Sequence, residues 1–251
     1  DVERVTASIE RMERAGYVAW SADEQIEIGG WTVRSSGGFT RRLNSAKANG
    51  RADTSIDTKR AVAGWLAERG ASLAVRVTPL IDRPTVERCA STWGLSLLDE
   101  TIVLARRPTR SIGGREVLVI DADDEGFAHE LMDLNGRSGS DLKPWSRLVR
   151  RISPNAAGLW IPGQAVAFVA IYEGVASLFS LAVLESSRRI GVATKVMNAA
   201  FTWASARDAE TLFIQVLGAN VAGLALYERL GFDEMYRYHY LQPSSGGSEH
   251  S

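Results

Sequence analysis

The 251-residue sequence contains one cysteine, Cys89, so no internal disulfide can form. An all-cysteine zinc site and a CxxC redox pair are excluded on the same count. Its three histidines, His129, His239 and His250, stand far apart and no HExxH pattern occurs, so no metal is expected. Long hydrophobic runs are missing. The longest, such as residues 165–172, are strand-sized and well short of the ~18–20 residues a spanning helix needs. Excess charge is missing too, with 29 Lys plus Arg against 30 Asp plus Glu. No overall positive field therefore points to a nucleic acid or an anionic membrane as partner. The opening Asp-Val-Glu-Arg has no signal-peptide pattern. What is present is globular: 45% hydrophobic and 24% charged residues, enough for one large domain or two ordinary ones. A cytoplasmic protein without a membrane segment is expected.

The clearest seam is residues 106–115 (RRPTRSIGGR), where Pro108, Gly113 and Gly114 disfavour both helix and strand pairing. It reads as a solvated linker at 108–115, between an N-terminal domain (1–107) and a second domain (116–243). The segment 242–251 has no apolar pattern, and 244–251 reads as a flexible tail. In the second half, strand and helix signals alternate. Residues 116–121 read as a strand, 124–135 and 142–151 as helices, and 165–172 and 176–184 as strands joined by a Glu173-Gly174 hairpin turn. Then follow a helix at 191–207, a strand at 211–217, a helix at 221–230 ended by Gly231, and a strand at 232–241. The fold class predicted is α/β, a mixed central β-sheet flanked by helices. The first half repeats part of this pattern at an offset of about 138 residues: Trp65…Arg69 stands as Trp203…Arg207, and Trp93-Gly94-Leu95 as Leu230-Gly231-Phe232. Blocks matched in order suggest duplication.

Chemistry concentrates in SLAVLESSRRIGVAT, residues 180–194. A buried strand leads through a short loop into a helix starting near Gly191. A helix N-terminus presents unpaired N–H groups and a partial positive charge. Gly191 and Ala193 allow close approach to the backbone, and Arg188 and Arg189 add two cations. Together they make a site for a pyrophosphate, or else a solvated arginine pair beside a closely packed helix. Neither a Walker P-loop nor GxGxxG is present.

Arg188-Arg189-Ile190-Gly191-Val192-Ala193 resembles the Gln/Arg-x-x-Gly-x-Gly/Ala acyl-CoA signature of the GNAT superfamily of N-acyltransferases. Asn220…Tyr227…Leu230-Gly231-Phe232 is similar to that family's closing motif. The first half, with Gly30-Trp31 and residues 41–45, resembles the degenerate leading half of a two-domain subgroup, and residues 50–55 lack the signature. The resemblance implies a GNAT-type fold in the C-terminal half, a partial one in the N-terminal half, and one CoA site. Leu181, Ala182 and Val183 would pair with the pantetheine arm. Arg188, Arg189, Gly191, Val192, Ala193 and Thr194 would hold the pyrophosphate. Asn220 would bind ligand or cap its helix. Tyr227 would act as general acid towards the leaving thiolate. Acetyl-CoA would be the co-substrate and a primary amine the acceptor, a small molecule ahead of a protein, with protein N-termini and lysines left open. The alternative is a non-catalytic acyl-CoA-binding module on the same fold. No base is evident; Glu173, Glu185, Glu130 and Asp133 are candidates. The acceptor pocket is expected along residues 134–145, with Arg137 or Lys143 available for a substrate carboxylate. Tyr236, Tyr238 and Tyr240 alternate on one strand face.

Overall fold

The computed structural model describes residues 2–37, 39–110 and 113–243. The expected tail at 244–251 and linker residues 111 and 112 lie outside the described residues. In chain order the elements are α1 (Val2–Ala19), β1 (Glu24–Ile28), β2 (Trp31–Ser35), β3 (Ser45–Lys47), α2 (Ile56–Ala67), β4 (Val75–Val77), α3 (Arg83–Trp93), β5 (Leu95–Arg106) and β6 (Leu118–Ile120). There follow α4 (Glu125–Leu134), α5 (Leu142–Ile152), β7 (Ala156–Ile161), β8 (Ala165–Tyr172), β9 (Val175–Val183), α6 (Val192–Ser205), β10 (Thr211–Leu217), α7 (Val221–Arg229) and β11 (Asp233–Pro243). The run β-β-β-α-β-α-β occurs twice, as β1 to β5 and as β7 to β11.

The chain divides into two compact units, Asp1–Ser21 with Ile102–Tyr236, and Ala22–Thr101 with Arg237–Ser251. This division does not follow the boundary expected near residue 107. The chain changes unit within β5 and again within β11. The reason is burial. Ile102 and Leu104 sit in the core of the first unit with Val196, Leu212 and Ile214, whereas Leu241 sits in the core of the second with Trp31, Val33 and Val75. Of the seam's described residues, Arg107, Thr109, Arg110, Gly113 and Arg115 are exposed, while at its two glycines the chain lies against α6. A Cβ on Gly114 would lie 2.5 Å from the Lys195 carbonyl, and one on Gly113 2.6 Å from Asn198 Nδ2, so both glycines let the chain lie directly on α6. The Arg106 guanidinium stacks over Phe201 at 4.5 Å.

In the first unit the strand order is β5-β10-β9-β8-β7-β6. β9 and β10 are parallel; the pairs from β6 to β9 are antiparallel. Glu173 and Gly174 close the β8–β9 hairpin with φ of 47° and 75°, the left-handed pair a two-residue turn needs. Strand β7 was not expected from the sequence. Its AAGL start is poor in strand formers, and a Cβ at Gly158 would meet the Phe127 ring at 2.9 Å, so packing under α4 required glycine there. Gln242, expected in the tail, lies in β11. Helix α1 turns Ile9, Met12, Ala15 and Ala19 inward. Trp20 follows, edge-on to Phe179, Phe168 and Trp145.

The second unit orders its strands β1-β2-β3-β4-β11. β3 and β4 are parallel at Ala46↔Val75, and β4 pairs antiparallel with residues 239–241. Helices α2 and α3 cover its core, where Trp31 and Trp93 meet at 5.3 Å.

Candidate active site

The parallel ladder between β9 and β10 runs from Val175↔Thr211 to Leu178↔Ile214. Both strands continue beyond it, β9 to Val183 and β10 to Leu217. At that point β9 bulges. Phe179 faces Phe168 and Ala182 faces Val166, so Ser180 and Leu181 share one partner position on β8. Ser180 takes a φ of 55°, a left-handed conformation that a serine adopts only when its surroundings hold it there. The Ser180 carbonyl accepts from Asn135 Nδ2 at 3.4 Å, just past the end of α4. The parted ends of a parallel pair need partners for their backbone N–H and C=O groups. The half-buried Leu181, Ala182 and Val183 lie on this stretch, and Leu181 and Val183 pack on the α6-side core.

From β9 the chain passes through a 3-10 turn, Glu185–Ser187, to the two arginines. Arg188 Nε donates to the Val183 carbonyl at 3.1 Å, which turns this side chain back onto its own strand. Arg189 and Gly191 both have positive φ, 63° and 86°. Gly191 is the N-cap of α6, with no side chain to cap the N–H groups of Val192, Ala193 and Thr194. A Cβ placed on Gly191 would meet nothing within 4 Å, so this end of the helix is open. Val192 is buried, while Ala193 and Thr194 are half-buried. One turn on, Lys195 pairs with Glu116 at 2.6 Å, and this pair holds the Glu116 carboxyl below its ordinary range.

Asn220 caps α7: its Oδ1 accepts from Gly223 N at 2.9 Å. Of the two roles weighed for it, the helix cap is the one present in the geometry. Gly223 is required beneath it, since a Cβ there would lie 2.6 Å from Asn220 Nδ2. Tyr227, on α7, is 9% exposed and belongs to the α6-side core, its ring edge-on to Phe232 at 5.7 Å. Burial pushes its phenol up to about 12, so it stays protonated at every physiological pH.

The structure brings the signature loop, the α6 N-terminus and the parted β9–β10 pair into one continuous stretch. Of the four acids considered as bases, Glu185 lies in the signature loop itself, and the other three come from outside it. Glu173 lies in the turn at the far end of β9, 3.7 Å from Arg14. Glu185 and Asp133 are exposed. Glu130 accepts from Trp160 Nε1 at 2.9 Å and from Gly163 N at 3.1 Å. In the segment expected to line the acceptor pocket, Arg137 pairs with Asp141 at 3.8 Å. Trp145 is a core residue instead, fully buried with its N–H on the Ala122 carbonyl. Tyr236, Tyr238 and Tyr240 are all buried, with Arg76 over the Tyr238 ring at 3.6 Å. One acid that the sequence did not single out is Glu13, the only buried carboxylate among the described residues. Its signal was weak: a glutamate one step off the inward stripe of α1.

The corresponding place in the second unit is closed from within. Beyond β3, Gly50 bridges to Ile81, its N–H on the Leu80 carbonyl and its carbonyl accepting from Asp82 N. The N-terminus of α2 is capped by Ser55, which accepts from Thr58 N. The Asp53 carboxylate lies across it, accepting from Ser55 N at 3.0 Å, Ser55 Oγ at 2.8 Å and Thr58 Oγ1. Those hydrogen bonds, Thr58 first, lower the Asp53 carboxyl to about 2. A depressed carboxyl stabilises the fold above its unfolded value and loses that contribution as pH falls through the folded one. Asp53→Asn should therefore lower the melting temperature by roughly 2–4 °C at pH 7. The difference should shrink as pH falls below about 4 and be gone only below about 2, which thermal melts from pH 6 down to that limit would check.

Residues 6–241 match the model of the family described as "Probable histone acetyltransferase Rv0428c C-terminal". The chain belongs to that acetyltransferase family. It is 23% identical over 251 residues to the "Uncharacterized N-acetyltransferase YobR" of Bacillus subtilis (strain 168), covering 92% of this chain and 97% of that one. Among solved structures, a GCN5-related N-acetyltransferase from Kribbella flavida matches with a TM-score of 0.64 at 16% identity, over 97% of this chain and 95% of that one. A tandem GNAT protein from the clavulanic acid biosynthesis pathway matches with a TM-score of 0.55 at 11% identity, over 90% of this chain and 85% of that one. The fold is that of the GNAT acetyltransferases, and the family member is a transferase of that type. Among the described residues no helix is long and apolar enough to cross a membrane.

Proposed function

We propose that the protein is a cytoplasmic enzyme transferring the acetyl group of acetyl-CoA to a primary amine, at one site in the first unit. The observation that supports this most is the parting of β9 and β10 past Leu178 and Ile214, directly ahead of the uncapped N-terminus of α6. An amide-rich pantetheine arm suits parted strands, and a pyrophosphate suits open helical N–H groups beside Arg189. In this reading Leu181, Ala182 and Val183 hold the arm by their backbones. Gly191, Val192, Ala193 and Thr194 hold the phosphates. Arg188, drawn back to Val183, braces the loop. Asn220 fixes the start of α7 and so sets the place of Tyr227.

A phenol pushed up to about 12 is a weak acid, whereas a free thiol ionises near ~8.5. Complete proton transfer to a departing thiolate is uphill. Tyr227 thus acts chiefly by hydrogen bonding to the sulfur as charge develops on it. Tyr227→Phe should cut turnover by ~10- to 100-fold with the acetyl-CoA Kd within about twofold of the parent. Thiol release with a panel of primary amines, small ones first and a lysine-bearing basic peptide among them, is the assay. An unchanged rate removes Tyr227 from the chemistry. If acetyl-CoA raises the melting temperature and no amine releases thiol, the protein is a binding module instead.

A further inference from the structure

In the reading above the phosphates sit at the N-terminus of α6, which follows the C-terminal end of β9 by one short loop. The arm then lies along β9 from Val183 back to Leu181. Its thioester comes to the fork where β9 and β10 rejoin. The last rung of the ladder there is Leu178↔Ile214. Phe179 and Gln215 are the first residues past that rung, and the bulge of β9 begins at the next residue, Ser180. Asn135 Nδ2 donates to the Ser180 carbonyl at 3.4 Å. Beyond the rung the two strands are hydrogen-bonded to each other, so no chain passes straight on between them. Whatever the thioester carries must turn out of the sheet at Phe179.

Side chains alternate across a strand. Leu178, Ile214 and Val216 lie in the α6-side core with Tyr227, the group assigned to the sulfur. Phe179 faces the other way. Its ring meets Trp20 edge-on at 5.5 Å and Phe213 edge-on at 6.2 Å, and stacks on Phe168 at 6.3 Å. Trp145 closes the cluster, 4.9 Å from Phe168 and 6.3 Å from Trp20. None of these five rings is more than 4% exposed. Helix α1 lies tightly behind them, since a Cβ on Gly16 would be 3.3 Å from the Phe213 ring. A ring held on three sides in a close-packed core has nowhere to swing. The fork is therefore closed on the α6 face by the Tyr227 core and on the α1 face by Phe179.

We propose that Phe179 sets the length of the acyl group, restricting the donor to acetyl with propionyl at the limit. The inference rests on the acetyltransferase reading above and adds to it a reason why the group carried is so short. With the carbonyl carbon at the fork, the methyl of an acetyl group lies against the Phe179 ring. Each further methylene has to push that ring into Trp20, Phe168 or Phe213, and overpacking of this kind displaces side chains and backbone. One methylene in an apolar pocket is worth ~10- to 200-fold in discrimination. A smaller side chain at 179 opens space directly behind the carbonyl. It leaves in place the backbone of Leu181, Ala182 and Val183, which holds the arm in this reading.

The test measures thiol release from acetyl-, propionyl-, butyryl- and hexanoyl-CoA, with the fastest amine of the panel, in the parent, Phe179→Leu and Phe179→Met. In the parent kcat/KM should fall with each added carbon, and butyryl-CoA should be at least ~100-fold poorer than acetyl-CoA. In either variant the butyryl-to-acetyl ratio should rise by ~10-fold or more. Free CoA has no acyl group, and its Kd by calorimetry should stay the same in parent and variants. A loss of stability alone would lower all four rates together and leave the ratio where it was. A parental ratio in a folded variant would overturn the role of Phe179. So would a parent that uses butyryl-CoA as readily as acetyl-CoA, and that measurement decides the matter if neither variant folds. Both outcomes leave the transferase reading standing. No thiol release from any of the four thioesters with any amine would overturn both.

Discussion

Gly191→Asp is expected to remove acetyl-CoA binding, weakening it by at least ~100-fold, about 3 kcal/mol, while the protein stays folded. The site argues for both halves of that result. A Cβ at residue 191 meets open space, so no packing is lost. The φ of 86° strains any L-residue, at about 1–2 kcal/mol. An aspartate at an N-cap offsets part of that strain by accepting from the first helical N–H groups. Those are the groups offered to the diphosphate in the reading above, and the new carboxylate would both occupy them and repel the ligand's charge. At the start of α2 a side chain already does the capping: Ser55 Oγ accepts from Thr58 N, with the Asp53 carboxylate beside it. Gly191→Ala separates the two effects, since it keeps the strain without the charge and should cost less than ~10-fold. Titration calorimetry with acetyl-CoA measures both. An Asp variant that binds as well as the parent would place the ligand elsewhere.

The second large effect concerns α1. A fragment of residues 116–251, cut at the seam that looked like a linker, should fail to fold as a stable monomer. It lacks Ile102 and Leu104, which are core residues of the first unit. It also lacks α1, whose Ile9, Met12, Ala15 and Ala19 are buried, and Trp20, packed against three aromatic rings. Within the full chain, Trp20→Ala alone should cost about 3–5 kcal/mol and lower the melting temperature by roughly 10 °C. Circular dichroism and thermal melts of the fragment and of Trp20→Ala check this. A cooperative melt of the fragment at the parental temperature would show that these contacts contribute little.

Much of the first unit was legible in the sequence because its signals are local. Residues 124–135, 142–151 and 221–230 announce amphipathic helices, and the structure ends them within a residue or two of those limits, at Asp124, Asn220 and Gly231. The loop from Arg188 to Gly191 announced a helix entrance, and the entrance is open. What stayed hidden depends on partners distant in the chain. β7 is a strand because β6 and β8 pair with it on either side, and the glycine that weakens its local signal is there to clear the Phe127 ring. Trp145 could not be told from a pocket residue until Trp20 and Phe168 closed around it. Glu13 is met by Tyr236, more than two hundred residues along the chain. The seam at 106–115 hides a contact for a related reason. Its glycines serve close contact with α6, and composition alone cannot distinguish that from solvated chain.

Asp53 has one more implication. With its own carboxylate lodged at the head of α2 and Gly50 knitted to Ile81, the leading half fits the reading proposed above, in which a nucleotide thioester has one place in the chain. Kinetics that curve upward with thioester concentration could then not arise from paired receptors on a single polypeptide. Sigmoidal behaviour that dilution abolishes would then point to molecules associating with one another.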